Sequence, residues 1–186
     1  MRRKRTLKAV IPDTYQQAAL LVIDVQQALF EKRLPIYQAD ALLKNINQLV
    51  NKAHQAQVTV VYIQHSGKGD LGRSEPGWQL HPAMQPEPGN LRIHKIHGDA
   101  FQETELLDEL NARQVGRLVI TGLVTNGCVM VTSESAISLG YRVTLAADAH
   151  STYSEKAAEL IASLNQNMEE QGASILIVEE IEFEPS

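Results

Sequence analysis

The chain has 186 residues, 44% hydrophobic and 21% charged, enough for one globular domain with a single sizeable core. Eleven Gly and seven Pro exclude a collagen-like or low-complexity chain, and the single cysteine excludes an internal disulfide and fits a reducing cytoplasm. The net charge of −5 is uneven: Arg2, Arg3, Lys4, Arg5 and Lys8 hold five of 17 positive charges, so residues 11–186 carry twelve against 22 negative, a surface that repels phosphate backbones and excludes nucleic-acid binding beyond the N-terminal arm.

In chain order, residues 1–17 read as a basic extension, since no apolar stretch follows the charges as a secretory signal requires. Ala18–Ile23 is a continuous apolar run ending at Asp24, the mark of a strand buried on both faces, and is far short of the ~20 residues a membrane helix needs. Between Ala39 and Gln57, Leu42, Leu43, Ile46, Leu49, Val50 and Ala53 repeat at three- and four-residue steps, which predicts an amphipathic helix. Thr59–Ile63 is the second strand. Ser66–Asn90 holds Pro76, Pro82, Pro86 and Pro88 and reads as a long functional excursion or lid. Leu91–Lys95 is a short strand, Glu105–Ala112 a short helix, and Arg117–Thr121 a buried strand. Cys128–Leu139 is a helix ended by Gly140, Arg142–Ala147 a strand ending near Asp148, Glu155–Gln171 a helix stopped by Gly172, and Ser174–Val178 the last strand. This alternation predicts one three-layer α/β/α domain over residues 18–178 with a mostly parallel sheet, followed by an acidic tail, residues 179–186. Ligands of such sheets bind at the carboxyl ends of the strands, so function belongs at Asp24, His65, Lys95, the turn after Gly122, and Asp148.

Several motifs at these positions fail on their own chemistry. Gly67, Gly69 and Gly72 have dinucleotide-loop spacing, but Arg73-Ser74-Glu75-Pro76-Gly77 follows where a helix N-terminus must hold the pyrophosphate. Gly122 and Gly127 have phosphate-loop spacing, but Cys128 and Val129 stand where Lys and Ser or Thr are needed. A cysteine phosphatase needs an Arg six residues after the thiol, and that position is Glu134. His94 and His97 sit three apart on extended chain, on opposite faces, and His65, Asp70 and His81 lack compact ligand spacing, so no metal and no cofactor is expected.

Cys128 follows a buried strand at the start of a helix, where unpaired N–H groups and the helix dipole lower a thiol pKa. Taken singly, a lone cysteine is more often a small core hydrophobe, Asp24 a capping carboxylate and Lys95 a solvated charge. Their common position at strand exits is what joins them. Asp24-Val25-Gln26-Gln27, the Lys95…Ala100-Phe101 segment and Gly122-Leu123-Val124-Thr125-Asn126-Gly127-Cys128-Val129 together resemble the isochorismatase-like cysteine hydrolases, as does the Gly77-Trp78…His81-Pro82 loop. The resemblance implies a Rossmann-like domain with six parallel strands and a hydrolase acting on a small molecule, with an Asp–Lys–Cys triad carried over to Asp24, Lys95 and Cys128. It implies an oxyanion hole from the backbone N–H groups of Val124 and Cys128, a non-proline cis bond at Leu123–Val124, and a homo-oligomer. Within it, Asp24 is the base for Cys128, Lys95 the orienting charge, and the product an acyl-thioester that water hydrolyses. Phe30, Trp78 and Phe101 are the expected pocket-lining residues. Nicotinamidase relatives hold a metal through an Asp-x-His element after the second strand; His65-Ser66-Gly67-Lys68-Gly69-Asp70 stands there instead, which leaves a nicotinamidase with an atypical metal site, or an idle scaffold subunit, as the alternatives.

Overall fold

The computed structural model describes residues 11–184. The basic cluster Arg2–Lys8 lies outside the described residues. Six parallel strands, β1 Gln17–Ile23, β2 Thr59–His65, β3 Leu91–Lys95, β4 Val115–Leu123, β5 Arg142–Ser151 and β6 Ser174–Leu176, form one sheet in the order β3-β2-β1-β4-β5-β6. Among the described residues five α-helices accompany them: α1 Gln27–Phe30, α2 Ala39–Gln55, α3 Leu106–Ala112, α4 Met130–Leu139 and α5 Ala157–Glu170. No helix among the described residues is long and apolar enough to cross a membrane.

The two-residue period of the strands divides the core. Ala19, Leu21 and Ile23 of β1 face one way with Val61 and Ile63, against Leu106 and Leu110 of α3, Ala136 of α4 and Leu164 and Met168 of α5. Ala18, Leu20 and Val22 face the other way, against Leu42, Ile46, Leu49 and Ala53 of α2. The C-terminal segment joins that second layer through Val178 and Ile181, and Lys52 of α2 donates to the carbonyls of Val178 and Ile181 and pairs with Glu182. At the other end Ile11 is buried and its N–H donates to the Leu139 carbonyl.

The 66–90 excursion is fastened down. It carries two 3-10 turns, Gly69–Leu71 and Pro76–Trp78, and Leu80 bridges back to Gln26. Gly77 permits the close approach: a Cβ there would lie 2.7 Å from the Asp70 carbonyl and 2.8 Å from Ala28 of α1.

Strand order reverses between β1 and β4, and the crevice of an open parallel sheet opens at that point. Gly122 lets the two strands meet there. Its φ is +118°, and a Cβ would stand 2.1 Å from the Ile23 carbonyl oxygen, a backbone atom that cannot swing aside. Gly122→Ala should therefore cost on the order of 3 kcal/mol or more, read as a fall in thermal midpoint or loss of soluble protein. A variant as stable as the parent would show that the β1–β4 edge can relax.

Candidate active site

Four neighbouring strand ends supply the site in their spatial order: Lys95 closes β3, His65 closes β2, Asp24 follows β1, and Cys128 lies in the turn after β4. Lys95 and His65 are register partners, and both continue the face that carries Ile93 and Ile63 into the core. Asp24 leaves β1 with φ +51°, a left-handed conformation unusual for a non-glycine residue and found where a site over-determines the backbone. Its N–H still donates to the Ile63 carbonyl, which holds the turn to the sheet.

Where β1 turns away, a side chain takes over its pairing duty. The fully buried Gln26 accepts the His65 N–H on Oε1 at 2.8 Å and donates from Nε2 to the carbonyls of His65, at 3.0 Å, and Trp78, at 2.8 Å. Gln64 donates to the same Trp78 carbonyl, so β2 and the excursion are tied together beside the site.

The triad residues meet. Lys95 Nζ donates to Asp24 Oδ2 at 2.8 Å and to Cys128 Sγ at 3.2 Å, and the two ionic residues are 1% and 2% exposed. At that separation the attraction is on the order of 6 kcal/mol for an effective dielectric of about 20, comparable with the several kcal/mol each ion loses on leaving water. Burial wins at Asp24: desolvation pushes its carboxyl above the usual range against the opposing pull of Lys95. Asp24 Oδ1 has no hydrogen-bond partner, and Cys128 Sγ lies within 4.8 Å of the carboxylate.

The thiol departs from the expectation of a lowered pKa. Burial, and then the negative charge of Asp24, push Cys128 up to about 12, with Lys95 opposing. The regular helix begins only at Met130, after an irregular turn over Thr125–Val129 in which Asn126 and Gly127 have non-helical dihedrals. The helix dipole that sequence placed at Cys128 acts within the first turn of a regular helix, and Cys128 precedes it.

That turn is braced from below. The Leu123–Val124 peptide is cis, and the Val124 carbonyl accepts the N–H groups of Gly127 at 3.0 Å and Val129 at 3.3 Å. Thr125 and His150 are buried, with Thr125 Oγ1 2.9 Å from His150 Nδ1 and His150 Nε2 2.8 Å from Asn165 Oδ1. Asn165 spends its amide N–H on the Ala147 carbonyl, so its oxygen faces the ring. Nε2 then carries the proton and Nδ1 accepts from Thr125. Burial pushes His150 below its ordinary 6.5. The folded state therefore binds less proton than the unfolded chain below pH 6.5, and this neutral histidine's contribution to stability is lost as pH falls. Wild-type thermal midpoints should drop below pH 6.5 more steeply than those of His150→Gln, which cannot titrate. Parallel curves would place the acid sensitivity elsewhere. A recess of about 320 Å³ between α2, β5 and α5 opens beside His150 and contains none of the triad.

The expected pocket aromatics divide. Phe30, at the end of α1, packs its ring tilted against His81 of the excursion at 4.4 Å; Trp78, within the excursion, donates from its indole to Ser66 Oγ at 3.0 Å and meets His94 edge to face. Phe101 is elsewhere. It stacks on Tyr141 at 5.8 Å and lies with Ser138 and Leu139 at the C-terminal end of α4, the end opposite the Cys128 turn. Ala100 N–H bonds to Thr132 and Asp99 to Ser135, so the chain after Lys95 runs down α4 away from the thiol.

The sequence places His65 at a strand exit where function belongs, but assigns it no part in the triad and no metal. Its Nδ1 lies 3.3 Å from Lys95 Nζ, and Asp24, His65 and Cys128 form the one cluster of three possible metal donors among the described residues, their atoms within 4.8 Å of one another. Asp70 and His81 do not join it. Lys95 Nζ stands 2.8, 3.2 and 3.3 Å from those donors, so an ammonium already supplies the positive charge that a metal would bring.

Three comparisons bear on this arrangement. Residues 18–177 match the family model described as the Isochorismatase domain. Two streptothricin hydrolases of Streptomyces noursei are each 33% identical over 170 residues, 90% of this chain; the chain spans 68% of one and 62% of the other. A ureidoacrylate amidohydrolase of Caulobacter vibrioides is 27% identical over 177 residues, 75% of this chain and 79% of that one. The crystal structure of a cysteine hydrolase from Pseudomonas syringae pv. phaseolicola superposes with a TM-score of 0.82 over 88% of this chain and 90% of its own, at 22% identity, a likeness of fold.

Proposed function

The chain belongs to the isochorismatase family of hydrolases, and from that premise we propose that it cleaves a C–N bond, of amide or carbamoyl type, or an ester bond in a small molecule through an acyl-thioester on Cys128. The observation that carries this reading is the contact of one buried ammonium with both the Asp24 carboxylate and the Cys128 sulfur, with a free carboxylate oxygen left beside them. The hydrolase names of the matched relatives, an amidohydrolase among them, support the bond type.

In the proposed cycle Asp24 Oδ1 takes the thiol proton as the sulfur attacks the carbonyl carbon. A C–S bond forms and the carbonyl becomes an oxyanion, met by the N–H groups of Val124 and Cys128. The intermediate collapses, the C–N or C–O bond breaks, and Asp24 returns its proton to the leaving group. Water then gives a proton to Asp24 and its oxygen to the acyl carbon, the C–S bond breaks, and the sulfur recovers the proton.

The high thiol pKa is compatible with this cycle. Transfer from Cys128 to Asp24 conserves the net charge of the buried pair, so desolvation weighs on both states. The carboxylate charge that holds the thiol protonated vanishes when the carboxylate itself accepts the proton. Burial that raises Asp24 makes it the better acceptor.

The reading is tested by assaying a panel of amides, ureides and esters for ammonia or acid release, before and after exhaustive chelation. Turnover is expected to persist without metal. A chelator that abolishes it, with recovery on added zinc or manganese, would favour a nicotinamidase with an atypical metal site.

A further inference from the structure

We infer that His65 is a positioning residue of the proposed catalytic cluster, a neutral acceptor that fixes how the Lys95 ammonium divides its protons; this rests on the cysteine-hydrolase reading above. Lys95 has three N–H bonds and four acceptors within reach: Asp24 Oδ2 at 2.8 Å, Cys128 Sγ at 3.2 Å, the His97 carbonyl at 3.2 Å and His65 Nδ1 at 3.3 Å. An ammonium on a flexible four-carbon stem has no orientation of its own, so its acceptors decide it. Two of them, the carboxylate and the sulfur, change charge during the proposed cycle. His65 and the His97 carbonyl do not, and they hold one proton on the outer side while the other two face Asp24 and Cys128.

The structure commits the imidazole to this task. Because Lys95 has no lone pair to accept with, the contact requires His65 Nδ1 to be unprotonated, with hydrogen on Nε2. Burial and then the Lys95 charge favour the neutral ring; Asp24 and the hydrogen bond to the His97 backbone oppose them, and a charge on the His97 ring adds to the first two. The ring is also held at its root. Gln26 clamps both backbone groups of His65, and the β2–β3 register sets His65 directly opposite Lys95. A residue that only filled space would need no lone pair aimed at the ammonium.

Cys128 is the only cysteine in the chain, so its alkylation by iodoacetamide reports on this cluster without a known substrate. The experiment measures that rate from pH 6 upward in the wild type, His65→Leu, His65→Asn and Lys95→Met. His65→Leu removes the acceptor, and its rate at a fixed pH should fall about fivefold or more, towards that of Lys95→Met. His65→Asn keeps an acceptor oxygen near the Nδ1 position and should stay within about twofold of the wild type. Nitrogen NMR of the wild type, which needs no variant to fold, should show His65 neutral with hydrogen on Nε2 at pH 7. A His65→Leu profile lying on the wild type, a His65→Asn variant as slow as His65→Leu, or an Nδ1–H or charged ring would each overturn the inference. The underlying function fails separately: turnover that survives in Cys128→Ala removes the nucleophile, whereas loss of turnover there with an unmoved His65→Leu profile removes only His65.

Discussion

Cys128→Ala should lose turnover on any accepted amide or ester by about a thousandfold or more, while unfolding within a few degrees of the wild type. The loss follows from the proposed chemistry, because alanine cannot form the C–S bond through which both half-reactions pass. The fold should tolerate the change, since Cys128 is only half-buried and sits in an irregular turn held by the Val124 carbonyl and the Thr125–His150–Asn165 chain rather than by its own side chain. Cys128→Ser should be nearly as damaging. The site already holds the far more acidic thiol protonated, up to about 12, and a hydroxyl in the same surroundings is harder still to ionise. Intact mass after quenching a slow substrate gives a second reading, because a single cysteine means any acyl adduct lost in the alanine variant was on Cys128. Undiminished turnover in Cys128→Ala would end the cysteine mechanism. A wild type that turns over no amide or ester would leave the idle-scaffold alternative standing.

Lys95→Met should lose both activity and stability, and the stability loss should be cured by a second substitution that does not restore activity. The methionine fills much of the lysine's space but leaves Asp24 buried without its cation, an uncompensated charge that costs about 3–5 kcal/mol when a buried pair is broken. Asp24 relieves that cost by holding its proton to higher pH. Its folded pKa is already raised, so the folded chain binds more proton than the unfolded one above 3.8, and stability falls as pH rises through the folded value. Thermal midpoints of Lys95→Met should therefore be closest to wild type in mild acid and fall away towards neutral pH. Adding Asp24→Asn removes the charge, and the double variant should regain most of the lost stability and flatten the pH profile. Neither variant should turn over substrate at more than about one per cent of wild type, because one holds the base protonated and the other lacks it. A double variant no more stable than Lys95→Met would mean that the destabilisation came from packing rather than from the orphaned carboxylate.

Much of the architecture was readable from local pattern. All six strands appear where apolar β-rich runs fall, and Leu91–Lys95 matches to the residue. Ala39–Gln55 follows a stripe that only a 3.6-residue period explains, and Gly140, with φ +95°, ends α4 as a left-handed glycine does. The differences fall where local pattern carries no information. Val115–Leu123 and Arg142–Ser151 run beyond their apolar centres because, past an irregularity in register, Gly122 and Leu123 pair with His150 and Ser151 and hold those polar residues in the sheet. The four residues of α1 were missed because so short a helix forms only by packing on the excursion through Ala28 and Gly77.

By itself the sequence determined the parallel α/β class, the alternation that sends Asp24, Lys95 and the Cys128 turn to one edge of the sheet, and the family, because these follow from residue types and short-range spacing. Tertiary structure alone decided which groups touch and how they are charged. His65 and Lys95 meet through a register set across a 25-residue excursion, and the single ammonium among Asp24, His65 and Cys128 is a product of four strand ends converging. Phe101, close to Lys95 in sequence, is carried away along α4 to Tyr141. The thiol's high pKa is the clearest case. Position near a helix start argued for a lowered value, but burial and a facing carboxylate raise it, and both exist only once the strands have paired. Contact and desolvation are long-range quantities, whereas periodicity and spacing are local, and that difference separates what could be read from the chain from what had to be seen in the fold.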